Sequence, residues 1–105
     1  MVSNTPALSY HAVFAQNAPN PFKSRTEIRF SLPVSAELAL YIYDVSGRKV
    51  KTLVREKRVA GVYSITWDGT DEKGKQVGAG VYFYVLKIGG KEILKRSCVL
   101  MKQAK

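Results

Sequence analysis

Three acidic side chains lie close together in an Asp/Gly-rich stretch that follows the only tryptophan. Asp68, Asp71 and Glu72 precede Gly74, and carboxylates are the hard oxygen ligands that calcium prefers. Their spacing differs from the calcium-binding loop in which Asp residues alternate before a distal Glu. Asp side chains also stabilise turns by accepting hydrogen bonds from nearby backbone N–H groups. We therefore predict turn chemistry here, with calcium binding as the weaker alternative, and no cofactor.

Side chains suited to nucleophilic or acid–base catalysis are sparse. The chain has one histidine, His11, and one cysteine, Cys98, and the two lie far apart in the sequence. Neither a Ser-His-Asp nor a Cys-His arrangement works without a base within reach of the nucleophile. Neighbouring carboxylates occur only in the Asp/Gly-rich stretch, where separate acid and base roles are not expected. We predict that the protein is not an enzyme and that Cys98 is a packed thiol.

The chain is strongly basic, with 17 Lys and Arg against 8 Asp and Glu and a formal net charge of +9. Such a charge attracts nucleic acid or another anionic surface, and it also maintains solubility. The densest basic run, residues 48–58, alternates with apolar residues, as a solvated strand face does. Tyr41 and Tyr43 are assigned to strand faces with core partners, so no stacking surface for bases is expected. We predict no nucleic-acid partner.

The length of 105 residues and a hydrophobic fraction of 46% suit one domain that buries a core without disulfides. No apolar run approaches the ~20 residues of a membrane span, and no secretory signal precedes the patterned part. We expect either a cytoplasmic protein or a domain from a longer chain, and the weakly patterned start favours the second. Residues 1–16 are predicted to form a lead-in or linker, with an edge strand at 10–16, and residues 17–105 the folded domain.

Alternation of apolar and polar residues predicts β-strands, and no segment shows helical spacing. Val50 and Leu53 have an odd spacing that indicates a bulge in their strand. The pattern predicts an all-β fold, an immunoglobulin-like antiparallel β-sandwich of about seven strands, with a closed barrel as the alternative. Besides the edge strand, the predicted strands cover residues 26–32, 36–45, 48–54, 61–68, 79–88 and 91–101, and residues 55–60 form a charged loop.

Several residues are expected to serve the architecture of this sandwich. Trp67 is predicted to be the main core aromatic, and Asp68 and Gly69 to begin the turn that follows it. Pro19 and Pro21 stiffen a non-helical entry to the first main strand, because each proline biases its predecessor towards an extended conformation. Phe22 would anchor this entry against the core.

An ordered set of motifs carries a family resemblance. The motifs are Pro-Asn-Pro-Phe at 19–22, Ile-Arg-Phe-Ser-Leu-Pro at 28–33, Ile-Tyr-Asp-Val-Ser-Gly-Arg at 42–48, Trp-Asp-Gly-Thr-Asp at 67–71 and Gly-Ala-Gly-Val-Tyr at 78–82. Together they resemble the immunoglobulin-like domain of the flagellar hook-capping family. The Pro-Asn-Pro-Phe entry and the basic, aliphatic last strand are most similar to the branch that forms the C-terminal sorting domain of type IX secretion cargo.

The resemblance implies a secreted or cell-surface protein that reaches the surface through the periplasm and outer membrane. It implies a cargo domain before this one in the parent chain, and outer-membrane secretion machinery and an anionic surface lipid or polysaccharide as partners. A flagellar hook-capping domain and a structural or carbohydrate-binding accessory module of a secreted hydrolase are the alternatives. The residues that match the sorting signal are Gly80, Tyr82, Lys95, Arg96, Val99, Leu100 and Lys102.

Two features of the signal matter for testing it. The chain continues for three residues past Lys102, where family members commonly stop. A substitution of Tyr82 would not distinguish misfolding from failed export, so we expect that trimming residues 95–105 is the cleaner test of sorting.

Overall fold

Seven β-strands form two sheets, and the alternation of the sequence determines which face of each strand is buried. The computed structural model describes residues 15–101, with side chains from residue 17. The strands are β1 (Ala15–Ala18), β2 (Thr26–Leu32), β3 (Ala36–Asp44), β4 (Lys49–Arg58), β5 (Gly61–Trp67), β6 (Gly80–Ile88) and β7 (Lys91–Leu100). His11, most of the predicted edge strand at 10–16, and Lys102 lie outside the described residues.

The strands pair as a three-stranded sheet, β1-β2-β5, and a four-stranded sheet, β4-β3-β6-β7, with every neighbouring pair antiparallel. The predicted all-β immunoglobulin-like sandwich is confirmed, and the two separate sheets exclude the closed barrel. In constant-type immunoglobulin domains the fourth strand joins the sheet of the fifth. Here β4 pairs with β3 instead. No helix of membrane-spanning length and hydrophobicity occurs between residues 15 and 101.

The core lies between the sheets and is built from the inward side of each alternating strand. Trp67, at the end of β5, is fully buried, as predicted, and its ring meets the rings of Phe22 and Tyr82 edge to face. Centroid distances are 5.5 Å to Phe22 and 5.2 Å to Tyr82, within the range that stabilises aromatic pairs. The remaining large members of the core are Ile28, Phe30, Leu32, Leu38, Leu40, Ile42, Tyr84, Leu86, Ile88 and Leu100.

Strand β4 differs from the prediction in length but confirms the expected bulge. It extends to Arg58, so most of the predicted charged loop at 55–60 belongs to a strand. β4 is an edge strand, and its exposed residues pair with β3 through the backbone alone, which leaves no alternation to detect. The register shifts twice, and the residues skipped by the pairing are Val50 and Leu53. Both are half-buried against the core, which explains their odd spacing.

Cys98 is buried in β7 opposite Tyr82, and burial raises the pKa of its thiol from 9.0 to about 12. The thiol ionises more easily in the unfolded chain than in the folded one. Its contribution to the free energy of unfolding is therefore complete below pH 9 and is lost as the pH rises towards 12. We expect the free energy of unfolding to fall above pH 9 by at most about 1.4 kcal/mol per pH unit from this group.

Denaturant titrations between pH 8 and pH 10 measure this effect, and Cys98→Ala is the matched variant. The variant is less stable throughout but should lose the slope between pH 9 and pH 10. Above pH 10 both proteins should weaken, because burial also raises the pKa of Tyr82 and Tyr84. An unchanged slope in the variant would show that Cys98 ionises equally in both states.

Candidate functional site

Part of the sorting signal predicted on β6 and β7 lies at one end of the four-stranded sheet. Gly80 pairs with Leu100, and Tyr82 pairs with Cys98. Gly80, where β6 begins, has a φ of +150°. Residues other than glycine rarely adopt this backbone conformation. Gly80, Tyr82 and Leu100 are therefore close together at this end, whereas Lys95 and Arg96 lie further along β7.

The entry segment binds the end of β7, in an arrangement that we call the terminal clip, formed by residues 20–22 and 99–101. The backbone N–H of Phe22 donates to the Val99 carbonyl at 2.9 Å, and the N–H of Met101 donates to the Phe22 carbonyl at 2.7 Å. The side-chain oxygen of Asn20 accepts from the N–H of Val99 at 2.9 Å. The bridge between Phe22 and Leu100 is parallel. The clip joins the entry of the described fold to its last strand.

A buried polar network fixes the entry segment from the other side. Asn17 donates to the hydroxyl of Thr26 at 3.2 Å, and Thr26 donates to the Pro19 carbonyl at 2.8 Å. The Tyr84 hydroxyl donates to the side-chain oxygen of Asn17 at 3.3 Å. Pro19 and Pro21 each follow a cis peptide bond. Both are exposed, so they do not fill the core. Phe22, in contrast, is anchored in the core as predicted.

Tyr82 stabilises the corner that leads into β6. Its ring packs on Trp67, and its hydroxyl donates to the Gly78 carbonyl at 2.6 Å. A tyrosine that bonds back to the backbone a few residues upstream is a recurrent feature of immunoglobulin-like folds. Tyr82 is 9% exposed, so its surface is largely unavailable to a partner. The structure gives this residue an architectural role, whatever its part in a signal.

The middle of β7 presents Lys95 and Arg96 on opposite faces of its sheet, and both side chains are exposed. Lys95 pairs with Val85 and lies over the ring of Phe83, with its ammonium 5.2 Å from the ring centroid. Arg96 pairs with Tyr84 at the side of the sandwich. Val99 is half-buried and Leu100 is buried. Of the predicted signal residues on β7, only Lys95 and Arg96 are fully open to a partner.

The acidic residues after Trp67 bind the protein's own backbone and hydroxyl groups. Asp71 accepts from the N–H groups of Lys73 and Lys75, and these bonds, that of Lys75 first, hold the pKa of its carboxyl below the usual value. Hydrogen bonding from the Thr70 hydroxyl likewise lowers the pKa of Asp68. Such bonds to the ionised form explain both shifts.

Glu72, the third acid of this loop, also bonds to the backbone. Its carboxylate accepts a hydrogen bond from the Thr52 N–H of edge strand β4 at 2.7 Å. Among residues 15–101 there is no group of three or more acidic, histidine or cysteine side chains that could hold a metal ion. The structure therefore does not bring the calcium candidates together.

The outer face of the four-stranded sheet carries a surface that the sequence analysis assigned incorrectly. Tyr41 and Tyr43 were expected to have core partners, but both point away from the core and contact each other, with ring centroids 6.3 Å apart. Alternation could not identify their side, because both faces of β3 are apolar. Six residues, which we call the outer basic face, form this surface: Tyr41, Tyr43, Phe83, Lys49, Lys87 and Lys95.

Comparison with known proteins identifies relatives of this fold. A model of the FlgD Ig-like domain family matches residues 17–90. No curated protein sequence matches the chain significantly. The crystal structure of dimeric latent PorU from Porphyromonas gingivalis is similar over 87% of this chain and 9% of that chain, with a TM-score of 0.74 and 20% identity.

Two further solved structures are similar at lower scores. PorZ, described as an essential bacterial surface component of the type IX secretion system of Porphyromonas gingivalis, matches over 95% of this chain and 13% of its own, with a TM-score of 0.54 and 17% identity. The DNA glycosylase AlkC of Pseudomonas fluorescens, bound to DNA containing an abasic site analog, matches over 87% of this chain and 29% of its own, with a TM-score of 0.51 and 16% identity. The chain spans a small part of each of these proteins.

Proposed function

Because the chain belongs to the FlgD Ig-like domain family, we propose that it is a non-catalytic sorting and surface-anchoring domain of a larger exported bacterial protein, recognised by outer-membrane machinery of type IX secretion. In this proposal a cargo domain precedes the sorting domain in the parent chain. After export, the parent protein is located outside the outer membrane or on the cell surface. The fold likeness to a surface component of the type IX system supports this choice over a flagellar role.

The observation that carries the proposal is the position of β7. It is an edge strand of the four-stranded sheet, and the resemblance places most of the signal residues on it. The backbone N–H and carbonyl of Val99 point away from β6, because both are bound by the terminal clip. In a regular antiparallel ladder this direction repeats every second residue, so those of Ser97 and Lys95 also point outward.

These outward groups give the secretion machinery a surface to bind. No hydrogen bond from residues 15–101 reaches the outward backbone groups of Ser97 and Lys95, beyond the reach of the clip. An extended segment of a partner can add to such an edge as a further strand. The neighbouring cations, Lys95 and Arg96, would attract an acidic partner to the same edge, an effect that salt weakens. The proposed signal is therefore a strand edge flanked by two positive charges.

The lack of catalysis in this proposal is supported by the uses of the reactive side chains. Cys98 is buried with a raised pKa, which makes it a poor nucleophile. The carboxylates of Asp68, Asp71 and Glu72 are occupied by hydrogen bonds to the chain itself. Neither is available for acid–base chemistry on a substrate.

Fusion to a cargo tests the proposal. A fluorescent protein behind an export signal, followed by residues 1–105, is produced in a host with type IX secretion. We expect cargo in the medium or on the cell surface, and periplasmic cargo when this domain is omitted. Cargo that stays in the periplasm with the domain attached would contradict the sorting role.

A pair of substitutions tests the strand edge within the same assay. Ser97→Pro removes an N–H that faces outward and is not part of the ladder to β6, and proline is tolerated at such edge positions. Ser97→Ala is the matched control. If both variants keep cooperative thermal unfolding, we expect Ser97→Pro to reduce export by about tenfold and Ser97→Ala to leave it unchanged. Equal export of both would show that the machinery does not add a strand at this edge.

A further inference from the structure

We propose that the outer basic face is a binding site for an acidic polysaccharide, a sugar chain that carries carboxylate or phosphate groups. This inference rests on the proposed cell-surface location, where such polymers are the available polyanions. This surface shares only Lys95 with the β7 edge. Variants of Lys49 and Lys87 therefore test it independently of the edge.

Strand pairing places the six residues on one side of the sheet. Tyr43 of β3 lies between Lys49 of β4 and Phe83 of β6. The next row contains Tyr41 and, on β7, Lys95, while Lys87 follows on β6. Since neighbouring strands are about 4.8 Å apart, these rows span about 14 Å across the four strands. A polymer can therefore cross the sheet and meet several cations along its length.

Aromatic rings hold the lysine ammonium groups over the sheet. Lys49 and Lys87 both lie over the ring of Tyr41, at 4.4 Å and 5.7 Å from its centroid, and Lys95 lies over Phe83. Cation–π contacts of this kind contribute about 0.5–1 kcal/mol at exposed sites. They also restrict the conformations of long lysine side chains that would otherwise sample many rotamers in solvent. The cations are consequently ordered before a ligand arrives.

Within residues 15–101 the three lysines form no ion pair. The ion pairs among residues 15–101 are Lys51 with Asp68 and Arg58 with Glu56, and neither involves the outer basic face. Two ammonium groups share the ring of Tyr41, so they lie within about 10 Å of each other and repel. An anion between or beside them would relieve this repulsion. Glu37 and Glu92, the acids on this side of the sheet, form no ion pair with these lysines.

The floor of the surface favours a polar polymer over a bilayer. Val85 is 4% exposed although it faces outward, so its neighbours cover the aliphatic centre of the sheet. A shallow groove of about 260 Å³ lies at this point, and its charged lining comprises Lys87 and Lys95 together with Asp44 and Glu92. Val45 at this groove is 73% exposed, but one aliphatic side chain is much less than the apolar helix face that binds a membrane interface. A sugar chain needs only hydroxyl and ionic contacts, and the groove offers ammonium and phenol groups for both.

The same contacts disfavour single-stranded nucleic acid. In proteins that bind single-stranded nucleic acid, the bases stack on open aromatic rings. Lysines occupy a face of Tyr41 and of Phe83, and Tyr43 packs against Tyr41. The rings are thus used to position cations. Among polyanions, a flexible acidic sugar chain fits this arrangement best.

Isothermal titration calorimetry of the whole chain at physiological salt tests the proposal. The probes are polygalacturonate for carboxylate, phosphomannan for phosphate, dextran as the neutral polymer, a short DNA duplex, a single-stranded oligonucleotide, and phosphatidylglycerol vesicles. We expect binding of at least one acidic polysaccharide that is tighter than binding of the DNA, oligonucleotide and vesicles, and none of dextran. Comparable binding of dextran, or tighter binding of DNA, the oligonucleotide or vesicles, would overturn the proposal.

Three variants locate the site. Lys49→Gln, Lys87→Gln and Lys95→Gln together should weaken polysaccharide binding by about tenfold or more. The matched triple variant carries Arg25→Gln, Arg29→Gln and Lys75→Gln, exposed cations away from this face, and should change binding less than about threefold. Tyr41→Ile keeps the charge but removes the ring that orders two lysines, and should weaken binding by about threefold. Equal losses in the two triple variants would show only a general charge effect.

Export of the cargo fusion separates this inference from the proposed function. The double variant Lys49→Gln, Lys87→Gln should still be exported, because it leaves the β7 edge and Lys95 intact. Export without polysaccharide binding by the unmodified domain would reject the inference alone. Polysaccharide binding without export would reject the sorting function alone.

Discussion

Replacing Phe22 with alanine is expected to lower the free energy of unfolding by about 3–5 kcal/mol, the range for large aromatic residues in a core. Phe22 is 1% exposed and packs edge to face on Trp67. Its backbone also carries two hydrogen bonds of the terminal clip, and loss of the ring would let the entry segment leave β7. Denaturant unfolding followed by tryptophan fluorescence measures the change, because Trp67 is the only tryptophan.

Phe83→Ala is the matched control for this experiment. Phe83 lies in the middle of β6, but it points outward and is only half-buried, so its loss should cost about 1 kcal/mol. Similar losses from the two substitutions would mean that Phe22 is not a core residue. Hydrogen exchange at Val99 and Met101 gives a second measure, since both N–H groups should lose protection in the Phe22 variant first.

Removing residues 95–105 is expected to unfold the domain. Cys98 and Leu100 are core residues of β7, and the deleted segment pairs with β6 from Gly80 to Val85. Loss of Leu100 alone should cost about 2–5 kcal/mol, which compares with the entire stability of many small domains. Circular dichroism should show no cooperative thermal transition for the shortened chain.

A chain that ends at Met101 is the control, because it keeps every described contact of β7. Its melting temperature should stay within about 4 °C of the full chain, equivalent to about 1 kcal/mol or less. A folded protein without residues 95–105 would contradict the assignment of β7 to the core. Because the deleted segment contains the buried residues Cys98 and Leu100, failed export of the shortened chain would not separate misfolding from loss of the signal. Substitutions at the exposed positions of β7 are therefore the sharper test of sorting.

The strands that could be predicted are those with one buried face. β2 alternates Ile28, Phe30 and Leu32 with polar residues, and the structure buries the same three side chains. β6 behaves in the same way. The extension of β4 to Arg58 escaped prediction because an edge strand with exposed side chains has backbone pairing but no apolar alternation. Alternation of apolar and polar residues identifies strands that bury one face. It does not identify a strand that pairs through its backbone while its side chains stay exposed.

The candidate site was only partly predictable for a different reason. Gly80 and Leu100 were both chosen by resemblance, but no local feature indicates that they pair. The terminal clip depends on Asn20 accepting a hydrogen bond from Val99, a contact between distant parts of the chain. The outer basic face was missed because Tyr41 and Tyr43 lie on a strand whose two faces are both apolar. Which face meets the other sheet is decided by the whole sandwich.

The parallel course of the terminal clip determines how the domain responds to mechanical load. Phe22 and Leu100 lie on segments that run in the same direction, with β1 before Phe22 in the chain and β7 ending at Leu100. Tension between the two ends therefore slides the segments past each other, which loads the hydrogen bonds of Phe22, Val99 and Met101 together. In the opposite orientation these bonds would open one after another at lower force. A pull from the N-terminal side while β7 is held would thus load the pairing of β1 with β2 first and then the clip.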